Sequence, residues 1–158
     1  MINIEINNDQ SHVPVDEPRL CDAVRMVLDD AGVSRGEISV AVVDDPAICR
    51  LHKKYLDQDE PTDVLSFVYE RGEDSLEGEV IVSAETAQMT AGWYGWTAAD
   101  ELLLYVIHGA LHLVGYDDVA PEDRARMRDG EALYLGRFGL ELHAEESPSS
   151  QDSTSPGA

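Results

Sequence analysis

Tyr105-Val-Ile-His-Gly-Ala-Leu-His-Leu-Val-Gly-Tyr-Asp-Asp118 carries two imidazoles four residues apart, His108 and His112, then a glycine and a pair of carboxylates. Residues at i and i+4 share one face of a helix, so both rings can reach a single metal ion. The surrounding Leu102, Leu103, Leu104, Val106, Ile107, Leu111, Leu113 and Val114 would bury this helix in a core. Two unpartnered imidazoles there would be costly, and a cation is the simplest partner. Read alone, the pair is also compatible with a surface coincidence or a satisfied core histidine. Gly115 falls just past the apolar run, where a left-handed cap ends a helix and turns the chain back, with Asp117 and Asp118 on the returning segment. A carboxylate from that segment would complete two nitrogens and one oxygen, leaving a fourth position for water as in a catalytic zinc site.

Zinc peptidases place their general base, a glutamate, directly after the first histidine; here that position is Gly109, which argues against peptidase chemistry. The segment His108 to Asp118 resembles the signature of the YbeY family of bacterial endoribonucleases and ribosomal RNA maturation factors, His-Gly-x-Leu-His-Leu-x-Gly-Tyr-Asp-His. Asp59-Glu-Pro-Thr-Asp-Val-Leu-Ser-Phe67, introduced by Tyr55, is similar to a second family block, and Gly78-Glu-Val-Ile-Val-Ser83 to a third. The resemblance runs from the first strand to about Leu142. It implies a zinc-dependent hydrolase with one Zn2+ ion, held by His108, His112 and, in place of the family's third histidine, Asp118. It implies ribosomal RNA or ribosomal precursor particles as partners, with ribosomal proteins or a ribosome-associated GTPase as further ones, and not DNA. It assigns no proton carrier.

Two positions depart from the family pattern. Aspartate oxygen is an ordinary zinc ligand, but its charge quenches the ion more than imidazole does and favours oxygen-preferring metals. Leu56 stands where the family has arginine, so the bidentate phosphate contact that arginine offers is lost or moved. Asp117 is positioned either to orient a ligand histidine or to stabilise the turn.

The 158 residues suit one domain, 1–142, with an acidic, Ser- and Pro-rich disordered tail at 143–158. Eleven basic against 32 acidic residues give a formal net charge of -21, unusual for a protein that binds phosphate chains and otherwise readable as a solubility trait. Seven of the basic residues lie in two segments, Arg50/Lys53/Lys54 and Arg124/Arg126/Arg128/Arg137. They either line a groove or form solvated helix faces paired with neighbouring acids. These two readings of charge keep two alternatives open: a metal-dependent hydrolase of another substrate, and a non-catalytic ribosome-assembly protein with a structural metal.

Two distant cysteines, no secretory signal pattern and no long apolar run predict a cytoplasmic protein without a membrane span. Strands are predicted at Ile2/Ile4/Ile6, Ile38–Val43, Val64–Tyr69 and Glu79–Val82, the last two joined by a charged loop from Glu70 to Glu77. Helices are predicted from Pro18 to Gly32, from the start Asp44-Asp45-Pro46 through Tyr55, over Ala84–Ala91, after a Thr97 cap with Asp100 and Glu101 in a first turn where carboxylates favour the dipole, and from Pro121 with apolar residues at Met127, Leu133 and Leu135. The fold class is α+β: a small mixed sheet with helices packed on it, the metal site on a central helix. The resemblance adds that this sheet is metzincin-like. Trp93, Tyr94 and Trp96 either stack bases or pin a loop to the core. Ser66 has no histidine placed to activate it as a nucleophile.

Overall fold

Apolar alternation and helix caps place nine elements in order along the chain, of which a computed structural model describes residues 2–56 and 63–142, at 55 and 56 the backbone only. They are β1 (Ile2–Asn8), α1 (Glu17–Asp30), β2 (Arg35–Val43), α2 (Asp45–Leu56), β3 (Val64–Arg71), β4 (Ser75–Ser83), α3 (Ala84–Tyr94), α4 (Ala98–Leu113) and α5 (Pro121–Arg137). Pro61, Thr62 and the tail from His143 onward lie outside the described residues. Among those described, no helix is long and apolar enough to cross a membrane.

The sheet runs β1-β2-β4-β3. β1, β2 and β4 are parallel, and β3 pairs antiparallel with β4 at the edge. This is the mixed sheet that the alternation of strands and helices predicts. Ile38, Val40 and Val42 of β2 and Val80 and Val82 of β4 point to one face, where they meet Val24, Val27 and Leu28 of α1 and Leu103, Ile107 and Leu111 of α4. α4 is the central helix of that layer, buried along nearly its whole length.

Its contact with the sheet is close enough to dictate a residue. A Cβ on Gly109 would lie 2.5 Å from Val80 Cγ1 and 3.1 Å from Ser66 Oγ. Val80 is branched and fully buried, so it cannot yield cheaply. The glutamate that a peptidase would need at this position has no room. Ser66 Oγ donates to the Gly109 carbonyl at 3.1 Å, which makes it a tie between β3 and α4.

Among the described residues, α2 covers the opposite face through a small cluster of Val43, Ile48, Leu65 and Ile81. α2 and α3 start side by side and share their caps. Asp44 Oδ1 accepts from the Ala47 amide at 2.9 Å, and Ser83 Oγ accepts from the Thr86 amide at 3.1 Å. Asp45 Oδ1 in turn accepts from both Ser83 Oγ and Thr86 Oγ1, while Glu85 Oε1 accepts from the Asp45 amide at 2.7 Å. Each helix thus satisfies orphan donors or cap groups of the other.

Several elements differ from the sequence expectation. The charged segment Glu70–Glu77 is mostly strand, because Glu70 pairs with Glu77 and Arg71 with Leu76, leaving only Gly72–Asp74 as the connection. Its charges sit on exposed positions of a long hairpin, where alternation with apolar residues is weak. α3 continues three residues past Ala91, to Tyr94, placing Trp93 on a half-exposed helix face while Trp96 packs against the core. On α5 the buried stripe is Met127, Gly130, Glu131, Tyr134 and Leu135, and Leu133 is 53% exposed.

Candidate metal centre

Thr97 caps α4 as predicted, its Oγ1 accepting from the Asp100 amide at 3.1 Å. Along the helix, Glu101, Tyr105, His108 and His112 follow at i, i+4, i+7 and i+11, one polar stripe through an apolar helix. Glu101 is buried at 2% exposure rather than facing solvent near the dipole. Burial, and then the negative charges of Glu101 and Asp63, push the Tyr105 phenol above its ordinary range.

α4 ends in a two-bond reversal: the Gly115 amide donates to the His112 carbonyl and the Tyr116 amide to the Leu111 carbonyl. Gly115 holds φ +106°, a conformation that side chains disfavour. The turn brings the Tyr116 carbonyl to 2.9 Å from His112 Nδ1 and delivers Asp118 to the ring edges. Asp118 Oδ2 lies 3.4 Å from His108 Nε2 and 3.3 Å from His112 Nε2, and the two Nε2 atoms are 3.1 Å apart. The structure therefore brings together His108, His112 and Asp118, which form a group whose ligand atoms could hold one metal ion. Asp117 is exposed and its Oδ1 accepts from the Asp118 amide at 2.7 Å, so of its two expected roles it takes the stabilisation of the turn.

Both imidazoles are backed by acceptors. His108 Nδ1 is 2.6 Å from Glu131 Oε2, and His112 Nδ1 faces a backbone carbonyl. A carbonyl can only accept, so His112 carries its proton on Nδ1, and the Glu131 carboxylate selects the same tautomer for His108. Both Nε2 lone pairs then point at the Asp118 oxygen, and such convergence needs a positive charge in its midst. A proton supplies it in the metal-free protein. Burial disfavours the His108 imidazolium, but hydrogen bonds to Asp118 and Glu131 outweigh this and raise its pKa to about 9. The hydrogen bond to His108 in turn holds Asp118 down to about 2, against desolvation.

The arginines of α5 build this corner. Arg124 Nη1 donates to the Val119 carbonyl at 2.8 Å, Arg126 lies over the Tyr116 ring, and Arg128 Nη1 donates to Glu131 Oε1 at 3.1 Å. Arg137 instead pairs with Asp30 at 3.1 Å. The sequence reading of arginines paired with neighbouring acids holds in part: Arg128 and Arg137 pair with the acids Glu131 and Asp30, whereas Arg124 and Arg126 engage a carbonyl and an aromatic ring. Leu56 closes α2, its side chain outside the described part. Asp63 lies just before β3, its carbonyl accepting from the Ser83 amide. His12 and His52 are not among the residues of that group. Sequence reasoning missed Glu131; its spacing of four from Met127 and from Leu135 is the one weak hint, outweighed by its charged neighbours.

Fold and site together define a class, an α+β domain whose central helix and following turn converge two nitrogens and an oxygen. The model of the family described as endoribonuclease YbeY matches residues 5–139, and the chain belongs to that family. An endoribonuclease YbeY of Rhodopirellula baltica is 42% identical over 126 residues, covering 77% of this chain and 65% of the relative. That of Moorella thermoacetica is 38% identical over 151 residues, covering 85% of this chain and 96% of the relative. A solution structure of a Thermotoga maritima protein superposes with a TM-score of 0.57 at 24% identity, over 88% of this chain and 92% of that one, a likeness of fold.

Proposed function

We propose that this protein is a metal-dependent endoribonuclease of ribosomal RNA processing and ribosome maturation, with one Zn2+ ion held by His108 Nε2, His112 Nε2 and Asp118 Oδ2. The observation that carries the reading is the triangle of ligand atoms at 3.1, 3.3 and 3.4 Å. Tetrahedral zinc with bonds of about 2.0–2.1 Å spaces its ligand atoms roughly 3.3 Å apart. A divalent ion there would supply Lewis-acid polarisation of a phosphoryl oxygen. The chain's own part is to hold the ligands rigid: Gly115 reverses the chain, the Tyr116 carbonyl fixes the His112 ring, and Asp117 braces the loop that carries Asp118.

The relatives' name supports an RNA substrate. In this reading residues 1–142 form one domain with the metzincin-like arrangement of a metal helix across one face of the sheet, acting in the cytoplasm on ribosomal precursor particles. Ribosomal proteins or a ribosome-associated GTPase are its protein partners. Elemental analysis of gently purified protein and cleavage of structured ribosomal RNA test it together. We expect one equivalent of metal and cleavage abolished by a chelator and by His112→Ala; protein that stays empty after zinc supplementation sinks the reading. The charge of -21 and the engagement of the α5 arginines within the fold favour a second reading, a metal-dependent hydrolase of a less anionic substrate. Metal-loaded protein that leaves RNA intact and cleaves a neutral ester would select it.

A further inference from the structure

A carboxylate in a helix interface is costly unless its charge is matched and its oxygens are bonded. Glu131 is 3% exposed, on the stripe of α5 that packs against α4. One of its oxygens faces His108 Nδ1 at 2.6 Å and the other accepts from Arg128 at 3.1 Å. The short contact to His108 is typical of a charge-assisted bond. Packing fixes the distance. A Cβ on Gly130 would lie 3.1 Å from Leu111 Cδ1 and 3.3 Å from Tyr116 Cε2, so the α5 backbone is seated directly against α4 and the turn that follows it. Arg124 fastens the same loop one turn earlier on α5. The neighbouring ligand has a different support, since His112 is backed by a neutral peptide carbonyl.

From this asymmetry we propose that Glu131, clamped by Arg128, is a positioning residue for the cation centre. It locks His108 as the Nδ1-protonated tautomer, aims its Nε2 at the ion, and adds a second negative charge next to that of Asp118. The proposal rests on the metal-centre reading. Partners that orient a ligand histidine typically contribute about 10–100-fold in metal affinity, and two of the three grouped residues here are rings to be so oriented.

The test is the zinc dissociation constant of the full chain, measured by competition with a chromophoric chelator for wild type, Glu131→Gln and Arg128→Gln. Nitrogen-15 spectra of the histidine rings are recorded in the zinc-loaded state. Glutamine keeps the shape and loses the charge. We expect Glu131→Gln to weaken zinc by about 10–100-fold and to shift the proton resonance of His108 Nδ1 upfield. Arg128→Gln, which leaves the carboxylate in place but unclamped, should weaken zinc by a smaller factor. A purely structural Glu131 would lower the melting temperature and leave the affinity of folded protein unchanged. If Glu131→Gln does not fold, Arg128→Gln carries the test, and wild-type affinity in the folded variants overturns the proposal. Wild type that binds no zinc is a separate result, overturning the metal-centre reading beneath it.

Discussion

At the end of α1 the Gly32 amide donates to the Asp29 carbonyl and the Val33 amide to the Leu28 carbonyl, both at 3.0 Å. At the end of α4 Gly115 and Tyr116 repeat the pattern with His112 and Leu111, at 3.1 and 3.0 Å. Both glycines have positive φ, and both residues that follow, Val33 and Tyr116, pack against the same core. The two turns differ in what they launch. After Val33 the chain enters β2, and the reversal serves only the topology. After Tyr116 the backbone carbonyl holds His112, and two residues later Asp118 reaches back to both rings. In the proposed reading a common helix stop becomes a metal turn by the choice of residues immediately around it, so the fold and the centre should be separable by mutation.

The largest separation is expected for Asp118→Ala. It removes the proposed third ligand, a half-exposed side chain, and should lower zinc affinity by more than the about 10–100-fold that an outer partner provides, with little change in the urea midpoint. Equal metal loading of the variant and wild type would mean that the third ligand is misassigned.

Protons compete next. Folded His108 has a pKa raised to about 9 against an ordinary 6.5, so a metal held as proposed would have to displace a proton that the folded site retains below about 9. Apparent zinc affinity should therefore rise about tenfold per pH unit from pH 7 to about 9 and then level. In metal-free protein the raised pKa contributes stability below pH 6.5 that is lost as the pH climbs toward 9. Melting temperatures with and without zinc should diverge across that interval, and parallel curves would contradict the assignment.

The smallest effects compare the turns themselves. Alanine at either glycine should cost roughly 1–2 kcal/mol for its left-handed conformation. Gly115→Ala should also weaken zinc by displacing Tyr116 and Asp118, whereas Gly32→Ala should leave zinc binding at the wild-type value. Denaturant midpoints and chelator competition on both proteins decide this, and equal losses of affinity would dissolve the distinction.

The turn that groups His108, His112 and Asp118 was legible because each of its parts follows a local rule: i and i+4 spacing, a glycine stop, and a carboxylate within reach of the reversal. The central helix, its Thr97 cap and the mixed sheet were legible for similar reasons. Glu131 was not, since an acid among Arg128, Asp129 and Gly130 reads as solvated surface until α4 is packed against it. Glu101 stands in the first turn as its dipole-favouring position predicts, but its burial was not legible, since that position fits an exposed acid equally well. The β3–β4 hairpin was obscured because Glu70, Glu73 and Glu77 imitate the composition of a loop. Local pattern identifies which polar groups converge, while tertiary burial identifies what backs them.

The shared caps of α2 and α3 have a kinetic consequence. Neither helix can release its first turn without stripping Asp45, Ser83 or Glu85 of bonds that the other helix supplies. The amides of Ala47 and Thr86 should consequently exchange with deuterium as one cooperative unit, their protection rising and falling together although they stand almost forty positions apart in the chain.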